Sequence, residues 1–588
     1  MKLLRLQITD PKGFRSLQAG FEHIFRAKWA LEENLGFAPF ICAGRNGSGK
    51  SNLLEALASI FYQLEILRVR RSFLPEQFLF HEKRNPDGFK DGDGIPNGFE
   101  LEYLIRVPDA YRKPNTTGYA EVKISKVVGQ SPDIQWLNYV DFVLDIEEAT
   151  NLNMSQGVVG ERHRDFLLPQ YVLGYSSGEN EILSVPFFKM RFVQYDEYWH
   201  ALKEQLSYSG RPETRMAYLD SSFSQALLIC NLLFQNAETL KPFREDIGIE
   251  DLKEFRIIIR RNIEVSKDVA NSFDINNPAL IVDKETGRAT VNIMRLLDAS
   301  EDAALTDDSI VTRLKRCATC SFIDEPTDTI YLDYYVNETT KQAFRVNFDQ
   351  SPIALFQAFQ VLLVLNLFSV SERLKTDLYR SDSHYVSETV PTLASDERIM
   401  RFKFVGFTKS GVKEPLMLKS LSDGEHQLLH SLGLCLLFKN TTSLFLLDEP
   451  ETHFNPDWRS NFITRLQQCF DGTGANHEML ITTHTPFLIS DSKPERVLVF
   501  KNEASVVSVS NPNFNTLGAS INKITMVTFG KRETIGGHAQ AILENLRERF
   551  QNGEDKDQLI DDINQQLGDS VEKILLIKTI LSSMEAQD

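Results

Sequence analysis

The chain is short of positive charge. Its 588 residues carry 64 Lys and Arg against 81 Asp and Glu, a net charge of −17. That excludes a protein that coats nucleic acid through its overall field, so any such contact needs a local basic patch or a basic partner. Two short runs are candidates, Arg68 with Arg70 and Arg71, and Arg260 with Arg261; each also fits an ordinary solvated face. Cysteine is scarce as well, with six residues at positions 42, 230, 317, 320, 435 and 469. Only Cys317-Ala-Thr-Cys320 has a metal-ligand spacing, and no second Cys or His pair completes a site, so reduced structural cysteines are expected. The opening MKLLRLQITD has no uninterrupted apolar run of signal-peptide length, and the most apolar stretch, Ile353 to Val370, is interrupted by Gln357, Gln360 and Asn366. It reads as a buried helix, and the protein as cytoplasmic with no membrane partner. Internal repeats, long low-complexity segments and sustained heptads are also missing, which argues against solenoids and long coiled-coil arms.

What is present is an ordinary globular composition, 42% hydrophobic and 25% charged, with enough length for several domains. Residues 1–130 alternate strand-like and turn-like text around the helical pattern SNLLEALASIFYQLEIL, and FELEYLIRV with AEVKISKV reads as a hairpin on a sheet edge. From 131 to 395 the pattern is irregular and mainly helical, an insertion suited to an arm or to partner binding. Regular structure returns over 396–530, with the hairpin-like MRFKFVGFTKSG, the helix HQLLHSLGLCLLF and the strands SLFLLDEP, MLITTH and RVLVF. Residues 531–588 read as a polar helical tail.

Four strings carry chemistry. Gly44-Arg45-Asn46-Gly47-Ser48-Gly49-Lys50-Ser51, with Asn52 following, is a phosphate-binding loop between an apolar strand and an amphipathic helix. Glycines let backbone N–H groups approach phosphates, and the helix N-terminus adds partial positive charge. Lys50 can reach β- and γ-phosphates, and the Ser51 hydroxyl can ligate Mg²⁺. The second string, Leu444 to Pro450, is a buried strand ending in two acids. Asp448 suits the Mg²⁺ shell, and Glu449 suits a base that polarises the attacking water. ATP and Mg²⁺ are the ligands these residues call for.

The third string, Leu421-Ser422-Asp423-Gly424-Glu425, opens a helix 26 residues before Asp448. Here the chain resembles the ABC ATPase superfamily. Within it, Asp448-Glu449-Pro450-Glu451-Thr452-His453 is most similar to the SMC/RecF/OLD branch. The resemblance implies an α/β fold: an ABC-type ATPase head, with a mixed sheet around the phosphate loop and an antiparallel edge subdomain. It also implies that Ser422, Gly424 and Glu425 complete the nucleotide site of a second copy, as a homodimer or higher even oligomer. The fourth string, Met479 to Phe487, contains His484, 35 residues past Glu449. The resemblance implies that this histidine hydrogen-bonds the γ-phosphate and joins Glu449 as a catalytic residue.

The resemblance covers 1–130 and 396–530. Between Ser51 and Ser422 lie far more residues than compact members have. Stand-alone ATPases with short arms and this acidic string resemble those beside restriction and anti-phage systems, the Septu-type and retron-associated ones included. No Glu-Gly strand with an Asp-x-Asp pair follows His484, and no Cys-framed HNH text occurs, so no nuclease activity is expected in this chain. A separate nuclease subunit, the HNH type included, is the expected partner, with nucleic acid reached through the complex. The alternative is a RecF/SMC-like maintenance ATPase that clamps DNA without an effector. Some features stay open. Ser176-Ser-Gly-Glu179 reads as a loop or as a lining of the nucleotide site. Arg532 to His538 has the Arg and His spacing of one RNase class, but Gly536-Gly537 opposes the helix it needs. Gln170 and Gln194 are both candidates for the glutamine that contacts Mg²⁺ between the lobes. Gly13-Phe14-Arg15-Ser16 resembles a turn whose basic residue sits near the nucleotide.

Overall fold

Parallel strands buried on both faces read as continuous apolar runs, and Leu444, Phe445, Leu446 and Leu447 are all fully buried. Their strand, Ser443–Asp448, lies inside a seven-stranded sheet in the computed structural model. The structure describes residues 1–27, 37–68, 95–114, 116–177, 182–206, 215–274, 276–298, 309–381, 390, 393–471, 477–530 and 535–585. The sheet order is Val506–Ser510, Val497–Glu503, Phe40–Gly44, Glu478–Thr483, Ser443–Asp448, Tyr171–Ser176 and Met216–Tyr218. All pairings are parallel except that of the first two strands.

Because side chains alternate across a strand, this sheet feeds two cores. Ile41, Ala43, Leu173, Phe445, Leu447 and Ile481 enter one, together with the helix Asp423–Phe438. Phe40, Cys42, Val172, Leu444, Leu446 and Leu480 enter the other, together with the helix Lys50–Ile66. The phosphate-loop helix and the Ser422 helix therefore pack on opposite faces of one sheet.

The second core also holds an antiparallel sheet in the order Glu22–Ile24, Lys2–Ile8, Phe99–Arg106, Tyr119–Lys126 and Asp133–Trp136. Its Phe99–Arg106 and Tyr119–Lys126 pair is the expected hairpin. A second antiparallel sheet runs Cys320–Asp324, Thr329–Tyr335, Ile249–Arg260, Met400–Lys409 and Leu416–Met417.

The stretch 131–395 is rich in helices, but it is woven into the head. It supplies Asp133–Trp136 to the first antiparallel sheet, and Tyr171–Ser176 and Met216–Tyr218 to the parallel sheet. It also supplies three of the five strands of the second antiparallel sheet. The apolar segment Pro352–Ser369 is long and apolar enough to cross a membrane by length and composition. In the fold its Leu355, Phe359, Leu362 and Leu365 are fully buried in the first core. The tail forms three helices, Gly537–Gln551, Lys556–Gln566 and Val571–Glu585. They share a small core of their own built on Leu543, Leu546, Leu559, Ile563 and Ile580. The first begins at Gly537 with Gly536 as its cap, so of the Arg532–His538 string only Gly537 and His538 are helical among the described residues. Arg532 lies outside the described residues.

Candidate functional site

The phosphate loop leaves the strand Phe40–Gly44 and turns into the helix Lys50–Ile66. Gly47 (φ 74°) and Gly49 (φ 99°) occupy the left-handed region that glycine enters at little cost. A Cβ on Gly49 would also stand 2.9 Å from Ser16 Oγ. The first N–H groups of the helix have no intrahelical partner and face the loop. Ser48 is buried, and its hydroxyl has no hydrogen-bond partner among the described residues. A bound anion would satisfy such a group, so the loop fits a phosphate. Lys50 is buried too. Its Nζ donates to the carbonyls of Gly44 and Arg45, each at 3.2 Å, and lies 3.1 Å from His484 Nε2. Burial lowers its pKa from the ordinary lysine value, against the pull of Glu449 and Asp448.

Asp448 ends the neighbouring apolar strand and is fully buried. Ser51 Oγ donates to its Oδ1 at 2.9 Å, and the Thr482 hydroxyl donates to the same oxygen. Burial raises the Asp448 pKa while those two hydrogen bonds oppose the rise. A serine hydroxyl beside a carboxylate at the mouth of the loop is a donor set that fits a hard divalent cation. The chain then reverses through Glu449, whose φ is 49° and whose N–H donates to Thr482 Oγ1 at 3.0 Å. Glu449 Oε1 lies 2.7 Å from His484 Nε2. The hydrogen bond from His484 holds the Glu449 carboxyl below the usual range. Nε2 carries at most one proton, so in a given tautomer it either donates to Glu449 or accepts from Lys50. Lys50, Ser51, Asp448, Glu449 and His484 thus form one connected cluster at the C-terminal ends of three adjacent parallel strands, where such sheets place ligands.

The Ser422 turn stands apart from this cluster. Ser422 caps its helix in a capping box: its Oγ lies 2.9 Å from Glu425 Oε2, which also accepts the Ser422 N–H at 2.8 Å. Lys409 reaches the other Glu425 oxygen at 2.5 Å. Gly424 is where the turn touches the acidic string, since a Cβ there would meet the His453 carbonyl at 2.7 Å. Gln427 accepts the His453 N–H at 2.9 Å and fixes the same contact. Ser422 itself is exposed, and among the described residues its side chain bonds only inside its own capping box.

The residues flanking the loop are held as follows. Arg45 donates to the carbonyls of Phe529 and Gly530 at 2.8 and 3.2 Å. Asn46 is exposed, and the Gly47 carbonyl accepts from Asn502 at 3.2 Å. Asn52 Oδ1 accepts from Ser16 at 2.7 Å. The Gly13–Ser16 turn therefore sits on the phosphate helix, but its basic residue, Arg15, pairs with the buried Glu55 at 2.8 Å.

Gln170 is displaced from the site. It hydrogen-bonds Thr442 at the start of its strand, whereas Asp448 pairs with Ser176 at the other end. Gln194 falls inside the helix Val185–Lys203. Of the Ser176–Glu179 string, Ser176 and Ser177 border the cluster. The Ser177 N–H donates to the Asp448 carbonyl at 3.1 Å, and its hydroxyl lies 2.9 Å from Thr452 Oγ1. Gly178 and Glu179 lie outside the described residues, as do Arg70 and Arg71. Cys317 is buried and Cys320 exposed. No group of three His, Cys, Asp or Glu suited to a metal ion occurs among the described residues.

Sequence reasoning missed two residues. Thr482 braces Asp448 and Glu449 together; the signal was the Thr-Thr-His string. Glu451 is buried, takes a hydrogen bond from the Thr483 hydroxyl and is pushed by burial up to about 7.

Residues 334–490 match the family described as "AAA domain, putative AbiEii toxin, Type IV TA system". The matched span holds the Ser422 turn, the Asp448-Glu449 pair and His484, and begins after the phosphate loop that completes the cluster. That match covers well under half of the chain. Solved structures similar to it include the SMC head domain from Thermotoga maritima, at 12% identity over 87% of this chain and 100% of that one, with a TM-score of 0.28. Another is an SmcHead bound to the C-winged helix domain of ScpA, at 11% identity over 87% of this chain and 98% of that one, with a TM-score of 0.28. No curated protein matches the chain.

Proposed function

We propose that two copies of the head close around ATP, each offering its Gly44–Asn52 loop and Asp448-Glu449 pair to the Ser422 turn of the other. The supporting observation is the split arrangement within one chain. Lys50, Ser51, Asp448, Glu449 and His484 are mutually connected, whereas Ser422 is exposed and bonded only to its own helix. In this reading Lys50 and the loop N–H groups hold the β- and γ-phosphates. Glu449 accepts the proton of the attacking water, and His484 orients Glu449 and senses the γ-phosphate. Ser51 and Asp448 hold Mg²⁺, which neutralises charge on the phosphate oxygens. ATP favours the closed pair and hydrolysis the open one, giving a bistable element whose states select different partners. The partner is a separate nuclease of a defence system. Val571, Ile574, Leu575 and Leu581, exposed apolar residues of the last helix, offer it a face.

The test mixes two inactive chains. Ser422→Arg should bind ATP without turning it over, and Lys50→Ala should not bind it. A mixed pair has one site with both lesions and one with neither, so ATPase activity should return on mixing. Normal turnover by Ser422→Arg alone would refute the shared site.

A further inference from the structure

The second antiparallel sheet has two faces of opposite chemistry. Phe255, Ile257, Ile259, Leu332 and Tyr334 face inward and join the first core, which also holds Leu227, Leu314 and Phe359 of the covering helices. The alternate residues face outward, and the register sets them in rows. Phe322, Tyr331, Ile258 and Arg401 cross four strands in one row, and Asp333, Arg256 and Lys403 follow in the next. Phe322 and Tyr331 stack at 4.7 Å with their planes 3° apart. The Arg256 guanidinium lies 5.4 Å from the Tyr331 ring and 5.7 Å from that of Phe404. Lys403 lies 4.8 Å from the Phe404 ring, and Lys253 4.4 Å from that of Tyr335. A break in register after Lys403 sets Phe404 at φ 55° and turns its ring outward. Phe322, Tyr335 and Phe404 are 44%, 48% and 47% exposed.

This charge pattern runs against that of the chain. Asp333 is bound by Arg256, whereas Arg260, Arg401 and Lys403 have no carboxylate partner among the described residues. The Arg260-Arg261 pair of the sequence is divided: Arg261 is tied to Asp328, and Arg260 stands on the outer face. Glu254 and Asp324 are the other acids of the face, at its margins. Exposed rings interleaved with unpaired cations match one ligand chemistry, a flexible polyanion carrying flat aromatic groups.

We propose that this face binds single-stranded nucleic acid, with bases stacking on Phe322, Tyr331 and Phe404 and phosphates meeting Arg260, Arg401 and Lys403. A duplex is disfavoured because its base faces are already stacked on one another. The surface uses no residue of the nucleotide cluster.

The experiment is fluorescence anisotropy of the full chain with a labelled oligo-dT strand and with a labelled duplex, at about 50 and 200 mM salt. The single strand should bind more tightly than the duplex and weaken with salt. Phe322→Ala and Phe404→Ala should each weaken it roughly tenfold. Arg401→Glu with Lys403→Glu should weaken it and flatten the salt dependence. Binding of a fluorescent ATP analogue should be unchanged in all variants, which verifies their fold. Absence of binding by the wild type, full binding by the aromatic variants, or preference for the duplex would each overturn the proposal.

Discussion

Replacing Glu451 with Gln isolates one buried proton. The Glu451 side chain is 1% exposed, one oxygen takes the Thr483 hydroxyl hydrogen bond, and the other has no partner among the described residues. Burial, reinforced by the charge of Glu449, moves its pKa from the ordinary 4.5 to about 7. Below pH 4.5 the carboxyl is protonated in folded and unfolded chains alike, and it contributes nothing to pH dependence. Between 4.5 and 7 the folded chain keeps a proton that the unfolded chain has released, so stability falls as pH rises. Above 7 the full penalty applies, roughly 3 kcal/mol at 1.36 kcal/mol per pH unit. Glu451→Gln has no such proton. Its buried amide lacks an acceptor and costs about 1–3 kcal/mol, but equally at every pH. Urea unfolding of both proteins at pH 5 and pH 8 measures the difference. The variant should gain roughly 2–3 kcal/mol on the wild type between the two pH values, since part of the loss is already incurred by pH 5. Parallel pH curves would refute a neutral Glu451.

Three further outcomes follow from the cluster. Lys50→Ala should lose nucleotide affinity in equilibrium binding of a fluorescent ATP analogue, because the loop loses its buried cation; unchanged affinity would remove the loop from the site. Glu449→Gln should bind ATP and turn it over roughly 10²- to 10⁴-fold more slowly in a steady-state phosphate assay, and near-normal turnover would place the base elsewhere. Gly424→Ala forces a methyl group against the His453 carbonyl, and should lower the thermal midpoint by an overpacking cost of about 1–3 kcal/mol. An unchanged midpoint would mean that the two turns part freely.

The motifs were legible because each is a contiguous string that builds its own local structure: a glycine loop, a capping box, a strand ending in acids. What joins them is non-local, and there the sequence was weaker. Tyr171–Ser176 borders the acidic strand by pairing with residues some 270 positions away, and nothing local to QYVLG marks that partner. Gln170 therefore reads as a candidate site residue in the sequence, although it precedes the strand whose far end reaches the site. The second antiparallel sheet was hidden for the same reason. Ile249–Arg260 pairs with Thr329–Tyr335 and Met400–Lys409, and the short helices between them dominate the periodicity of 131–395.

The strand Glu478–Thr483 explains why a pair of threonines precedes His484. Thr482 and Thr483 are consecutive, so their side chains leave opposite faces of the strand. A hydroxyl donates one hydrogen bond and accepts others, and Thr482 uses both capacities. It donates to Asp448 Oδ1 and accepts the Glu449 N–H at 3.0 Å. One side chain thus fixes the carboxylate that faces Ser51 and the backbone of the next residue, which stands at φ 49° where non-glycine residues are strained. Thr483 donates to Glu451 and accepts the Thr485 N–H at 2.9 Å, which sets the turn after His484. The two acids on the outgoing turn and the histidine that follows the strand are therefore positioned by the same two hydroxyls. Glu449 and His484 stay within 2.7 Å because both are anchored to one rigid strand end. A valine at 482 would keep the strand but release Asp448 and Glu449 together, so the threonine is a positioning residue of the cluster.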